Sequence, residues 1–215
     1  MIVPTFTFEE QYWQQGISLV AGIDEVGMGA LAGPVVAAAV IFENAKAVDV
    51  TSPTIRDSKT LSLKQRSTAA TFIQNRAVSW AIGEASVEEI GNLNIRGAAH
   101  LAMRRAVDTL TQIPQLLLID GTPAQPHPHI PASNIIDGDA LSFSIAAASI
   151  LAKVYRDNLM VKLDKEFPVY GFAGHKGYGS KFHLEALKTH GVSPYHRLSY
   201  APIQALLTKS RISIS

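Results

Sequence analysis

The 215-residue chain contains no cysteine. That absence excludes disulfide frameworks, cysteine-ligated zinc, iron–sulfur clusters and thiol nucleophiles. Long apolar runs are missing too. The longest uncharged apolar-rich stretches, residues 30–42 and 140–152, are too short for a membrane span, and the first contains Pro34. The N-terminus carries Glu9 and Glu10 where a secretory leader would be basic and then apolar, so a cytoplasmic protein without a membrane partner is expected. Net charge is nearly absent as well: 19 basic against 18 acidic residues give +1. Taken as an average, this argues against a polyanionic partner.

The average hides an asymmetry. Residues 1–149 hold 9 Lys/Arg against 14 Asp/Glu, a balance of −5, whereas residues 150–215 hold 10 against 4, a balance of +6. One reading is a lysine-rich solvated helical surface. The other is an acidic centre facing a basic wall, which suits a phosphodiester held near metal ions. Charge counting alone favours the first.

What the chain does have is a core: 47% of its residues are hydrophobic, far too many for a disordered polymer. The length suits one domain over 1–215, with residues from about 166 onward as a basic helical C-terminal extension. Residues 19–25 and 34–42 read as buried strands joined by the turn Val26-Gly27-Met28-Gly29. Ser62 and Gln65 fit a capping box that opens a helix to about Arg76, and residues 77–85, with Val78, Trp80 and Ile82 alternating, read as a half-buried strand. A second capping box, Ser86 and Glu89, opens a short turn. Ile95, Ala99, Ala102, Ala106 and Leu110 then recur at helical spacing, with Arg96, Arg104 and Arg105 on the opposite face. Residues 116–120, four apolar residues and a carboxylate before Gly121, form the clearest strand. A Pro- and His-rich loop over 121–131 leads to a short strand ending near Ile136. Residues 142–165, Ala-rich and free of Gly and Pro, form a long helix. A loop over 167–179, a helix from about Ser180 stopped by Gly191, and a final short helix after Pro202 complete the chain. This order implies an α/β fold, a mixed sheet flanked by helices.

Four carboxylates fall at strand ends or nearby turns: Asp24, Glu25, Asp120 and Asp139. An acid directly after Leu-Leu-Leu-Ile is costly unless it meets a cation or a hydrogen-bond network. Asp24 and Glu25 are adjacent, so on an extended backbone they point to opposite faces. They converge only if the strand ends there and the chain turns, which Gly27 and Gly29 permit. Each acid alone could cap a turn. Together they make a metal site the more economical account, and oxygen-only ligands favour Mg²⁺ or Mn²⁺ over zinc.

The motifs Ala21-Gly22-Ile23-Asp24-Glu25-Val26-Gly27 and Leu31-Ala32-Gly33-Pro34-Val35-Val36-Ala37-Ala38 resemble the opening of the bacterial type 2 ribonucleases H, the ribonuclease HII family. Asp57-Ser58-Lys59, Leu93-Asn94-Ile95, Leu118-Ile119-Asp120-Gly121, Ala146-Ala147-Ala148-Ser149-Ile150-Leu151-Ala152-Lys153-Val154 and His175-Lys176-Gly177-Tyr178 continue the likeness in family order from about residue 20 to about 200. The resemblance implies a ribonuclease H-like fold. It implies an endonuclease that cuts the RNA strand of RNA–DNA hybrids and cuts at ribonucleotides embedded in duplex DNA, leaving 5′-phosphate and 3′-hydroxyl ends. The family's catalytic, metal-holding acids map to Asp24, Glu25, Asp120 and Asp139, with two divalent ions bridging the scissile phosphate. A monomer is expected.

Substrate choice, by the same resemblance, lies with the turn Gly27-Met28-Gly29 and with Tyr178, which together sense a 2′-hydroxyl and its neighbouring sugar. Lys59 and Lys176 are further substrate-binding candidates. Two residues depart from the family pattern: Met28 stands where an Arg is common, and Asp137 stands where a Lys often precedes Gly-Asp. Lys153 could face the site or solvent, and Lys181, His183 and Arg197 are candidate duplex-backbone contacts. His127 and His129 read as an exposed turn rather than a metal pair, and Trp13 and Trp80 as packing residues. Two alternatives stay open: another two-metal nuclease of the same fold, and a hybrid-binding module whose turnover is impaired by Met28.

Overall fold

The computed structural model describes residues 3–43, 55–56 and 58–212. Five strands form one mixed sheet in the order β3-β2-β1-β4-β5. Strands β1 (Val20–Val26), β2 (Val35–Ile41) and β3 (Ser79–Ala85) make an antiparallel meander. Strands β4 (Leu116–Asp120) and β5 (Ala132–Ile135) run parallel to β1 on its other side.

Every residue of β2 is buried, because helices cover both faces of the sheet. The odd residues Val35, Ala37, Ala39 and Ile41 pack with Ala98, Ala102 and Ala106 of α3 (Val87–Asp108). The even residues Val36, Ala38 and Val40 pack with Ala146, Ala147 and Ile150 of α5 (Phe143–Glu166). This is the two-residue period of a strand buried on both sides, with alanines allowing the helices to lie close. One close approach is at Gly22, where a Cβ would stand 2.2 Å from the backbone carbon of Ser144. Only glycine lets the start of α5 press onto β1.

Both capping boxes form, at Ser62/Gln65 for α2 (Leu63–Arg76) and at Ser86/Glu89 for α3. The second opens about two helical turns rather than a short turn. The helix breaks at Asn94 (φ 58°), whose side-chain oxygen accepts the N–H groups of Arg96 at 3.0 Å and Gly97 at 3.2 Å and so restarts it. Helix α1 (Thr7–Trp13) lies near the start, and the one-turn α4 (Gly138–Leu141) precedes α5. The expected loop over 167–179 contains a 3₁₀ turn (Pro168–Tyr170) and α6 (Phe172–His175). Helix α7 (Lys181–His190) begins at its Ser180 cap and ends at Gly191, and α8 is Ala201–Ile212. A cluster of Leu31, Met160, Leu163, Phe172, Leu187 and Ile203 fastens the C-terminal helices to α5 and to the segment after β1.

Trp13 packs on Phe6 with ring centres 5.4 Å apart, as expected of a packing residue. Trp80 does not: it is 37% exposed. It lies on the outermost strand, and α5 packs chiefly on β1 and β2, leaving that face of β3 less covered among the described residues. Among the described residues no helix is long and apolar enough to cross a membrane.

Candidate active site

The pairing of β1 with β4 stops at Ile23↔Ile119, whereas its pairing with β2 runs on through Asp24↔Ala38, Glu25↔Ala37 and Val26↔Val36. The strand runs one residue past the acidic pair, to Val26, before the expected glycine turn, so a strand end at Glu25 is not what brings the acids together. Instead the sheet parts between β1 and the tip of β4. Asp24 faces α5, sharing that side with Gly22, and Asp120 follows Leu118 onto the same side. Glu25 leaves from the opposite side, at the gap. It lines the cleft shared with Asp24 and also a hollow on the α3 side with Met28, Arg96 and His100.

Asp139 arrives from α4. The preceding Asp137 adopts a left-handed conformation (φ 54°), which Asp tolerates better than most residues. The bend brings the Gly138 N–H to Asp120 Oδ1 at 2.7 Å. As a result Asp24, Asp120 and Asp139 each present a carboxylate oxygen within 4.8 Å of the others; Glu25 does not join that set. Asp24 Oδ1 also accepts the N–H of Glu25 at 2.7 Å.

Asp24 is only 7% exposed. Burial, then repulsion from Glu25 and Asp120, hold its carboxyl well above the usual range, against a hydrogen bond with Ser149. Burial and then Asp120 raise Glu25 as well. A buried group of mutually repelling carboxylates is stabilised by a divalent cation, and its oxygen-only donors fit Mg²⁺ or Mn²⁺.

Ser58, Lys59, Ser149, Lys153 and Tyr178 complete the cleft. The Lys59 side chain is 80% exposed, with Nζ 3.7 Å from Asp139 Oδ2. Asp57, which precedes these in its motif, lies outside the described residues. Lys153 faces the cleft and donates to Asp157 Oδ1 at 2.8 Å. The glycine turn and Tyr178 meet: Leu31 and Ala32 donate their N–H groups to the Gly177 carbonyl at 2.8 and 3.3 Å, and a Cβ on Gly29 would stand 4.0 Å from the Tyr178 ring. Lys176 is left-handed (φ 53°), half-buried, and donates Nζ to the Ala173 carbonyl. Met28 packs its half-buried side chain against the core under α3.

Two buried arginines hold this turn. Arg156 donates to the carbonyls of Pro34 (3.0 Å), Lys176 (2.9 Å) and Ala32 (3.0 Å). Arg197 donates to those of Gly33 (2.9 Å), Met28 (2.9 Å) and Pro34 (3.2 Å), and to the Tyr200 hydroxyl (2.9 Å). Their relative exposures are 0% and 1%, and burial lowers the pKa of Arg156 to about 10. Gly27 (φ 95°) has no room for a side chain: its Cβ would stand 2.2 Å from Arg156 Nε. Arg197 is thus a brace within the protein and not a duplex contact. His183 is likewise fully buried and bonded to Tyr178 and His196, so that expectation is corrected too. Lys181 is exposed, as a duplex contact requires. His127 is not freely exposed: its Nε2 lies 3.4 Å from Asp108 Oδ1.

Arg156 does not stand out in the sequence, yet a signal exists. It follows Ala152, Ser149 and Ile145 at helical spacing, and all three are buried, which puts Arg156 on the buried stripe of α5.

The family model for Ribonuclease HII matches residues 21–203. Among similar proteins, a ribonuclease HII of Desulfitobacterium hafniense is 52% identical over 199 residues, covering 93% of this chain and 75% of that one. Ribonuclease HII 1 of Methylibium petroleiphilum is 50% identical over 196 residues, covering 90% and 96% respectively. The fold matches the crystal structure of ribonuclease H2 from Pyrococcus horikoshii with a TM-score of 0.75 at 22% identity, over 90% of this chain and 99% of that one. With a family match across most of its length, the chain belongs to the ribonuclease HII family.

Proposed function

We propose that this endoribonuclease cuts the RNA strand of RNA–DNA hybrids and cuts at single ribonucleotides in duplex DNA, acting as a monomer and leaving 5′-phosphate and 3′-hydroxyl ends. The observation that carries the reading is the meeting of Asp24, Asp120 and Asp139 within 4.8 Å, beside a cleft that Asp24 and Asp120 line together with Tyr178. Asp24, Glu25, Asp120 and Asp139 would hold the metal. When bound, Mg²⁺ or Mn²⁺ ions supply charge to the phosphate oxygens and lower the pKa of an attacking water.

The remaining roles belong to the chain itself. The carboxylates act as ligands, so no separate histidine base is needed. Gly27 and Gly29 lack side chains, which lets backbone amides come close to a sugar and phosphate. The Tyr178 ring, 37% exposed beside Gly29, is free to pack on the sugar next to the ribonucleotide. The exposed ammonium of Lys59 serves a phosphate near Asp139, and Lys176 stiffens the approach to Tyr178. A substrate panel tests the reading: all-DNA, all-RNA, hybrid, and DNA with one ribonucleotide, each with Mg²⁺, Mn²⁺ or chelator. Metal-dependent cutting of the last two alone is expected. An all-DNA or all-RNA duplex cut as fast as the hybrid would overturn it.

A further inference from the structure

Behind Tyr178 lies a buried group of histidines that the chemistry above does not use. His183 (α7) and His196 approach with Nε2 atoms 3.0 Å apart. His183 Nδ1 lies 2.9 Å from the Tyr178 carbonyl oxygen, and His196 Nδ1 accepts the Ser193 N–H at 2.8 Å. These contacts fix the protons. A backbone N–H can only donate, so His196 Nδ1 carries the lone pair and its Nε2 carries the hydrogen. His183 Nε2 must then accept, which leaves the His183 hydrogen on Nδ1, where it donates to Tyr178. The protons run one way, from Ser193 through His196 and His183 to the Tyr178 carbonyl.

We propose that His183 and His196 are positioning residues for Tyr178, a neutral hydrogen-bond relay that sets the stance of the sugar-reading tyrosine and is broken by protonation. The proposal rests on the reading of Tyr178 given above. A proton added to His183 Nε2 would set two N–H groups face to face at 3.0 Å; one added to His196 Nδ1 would expel the Ser193 N–H. The neutral pair alone keeps both the Nε2–Nε2 bond and the bond from the Ser193 N–H, while the Ser193 hydroxyl, 2.9 Å from His196 Nδ1, can donate to the same nitrogen. Its surroundings agree. His175 of α6 lies against His183, with ring centres 4.4 Å apart and planes at 11°, and the rings of Tyr170 and Phe172 pack on the other sides. Glu88 of α3 lines the same hollow as His196, and burial leads in lowering both rings, with His196 at about 4.

The test compares kcat/KM for a single ribonucleotide in DNA with that for a continuous hybrid, from pH 7.5 down to 4. Titration of the metal-holding carboxylates affects both substrates and cancels in the ratio. The wild-type ratio is expected to fall with acid. His183→Leu should lower it about five-fold at pH 7.5, the worth of one neutral hydrogen bond, chiefly through KM. His183→Asn, whose amide can still donate to Tyr178 without titrating, should restore the ratio and flatten its pH dependence. Imidazole ¹⁵N spectra at pH 7.5 should show His183 protonated at Nδ1 and His196 at Nε2. A wild-type ratio independent of pH, an unchanged ratio in His183→Leu, or the opposite tautomers would each overturn the relay. Tyr178→Ala separates the failures. An unchanged ratio there overturns the reading of Tyr178, whereas a reduced one with His183→Leu unaffected overturns the relay alone.

Discussion

Replacing Asp24 by Asn should make the metal-free protein more stable while it abolishes cleavage. Asp24 shares a 4.8 Å neighbourhood with Asp120 and Asp139 and is almost fully buried. At an effective dielectric of about 20, each ionised pair at that separation repels by roughly 3 kcal/mol. Partial protonation relieves some of this, since burial and its neighbours already raise the Asp24 carboxyl. Asparagine keeps the oxygen that accepts the Glu25 N–H, so little is lost in exchange. A net gain of about 2–4 kcal/mol follows, or roughly 5–10 °C in Tm for a chain of this size. The sign with pH is definite. A carboxyl whose folded pKa lies above its unfolded value costs stability when ionised, so the gap between variant and wild type should close as pH falls and Asp24 takes up its proton. Thermal melts in chelator, and again with Mn²⁺, provide the assay. Wild type should gain stability from the metal and the variant should gain much less. A variant that melts at or below wild type in chelator would refute the repulsion argument.

Three further outcomes are expected. Met28→Arg, which places at the turn proposed to face the substrate the guanidinium that the resemblance leads one to expect there, should gain affinity or single-ribonucleotide activity; unchanged kinetics on both that substrate and the hybrid would count against it. Arg156→Lys keeps the charge but cannot reach the carbonyls of Ala32, Pro34 and Lys176 together, so denaturant unfolding should show a loss of about 3 kcal/mol. Burial, then the neighbouring His183, lowers His196 from the usual 6.5 to about 4, so its stability contribution is complete above pH 6.5 and lost as pH falls toward 4, by up to about 3 kcal/mol in urea titrations; the loss between pH 7 and pH 4.5 should be smaller in His196→Asn than in wild type, and an equal loss in both would count against this origin.

Local signals in the sequence carried through where short-range chemistry decides the structure. The Ser62/Gln65 and Ser86/Glu89 boxes form because each side chain finds an unpaired N–H within its own helical turn. The Leu116–Asp120 strand is equally local, an apolar run closed by a carboxylate. Asp24, Asp120 and Asp139 were legible as acids awaiting a cation, and the structure draws them together. How they converge was not legible. That depends on β1 pairing further with β2 than with β4, a matter of register between distant segments. Arg197 and His183 looked like surface cations because a charge count treats every basic residue as solvated. Both are buried because carbonyls and a second histidine from remote parts of the chain satisfy them. The +6 balance after position 149 overstates the surface charge for the same reason: two of its ten basic residues, Arg156 and Arg197, are structural.

The most direct measurement is cleavage of duplex DNA carrying one ribonucleotide, with Mg²⁺ or Mn²⁺, by wild type and by Asp24→Asn. Wild type should cut only when metal is present and leave 5′-phosphate and 3′-hydroxyl ends, and Asp24→Asn should leave the duplex intact. Wild type that fails to cut with either metal, or Asp24→Asn that cuts at the wild-type rate, would contradict the assignment of the acidic cleft as the catalytic centre.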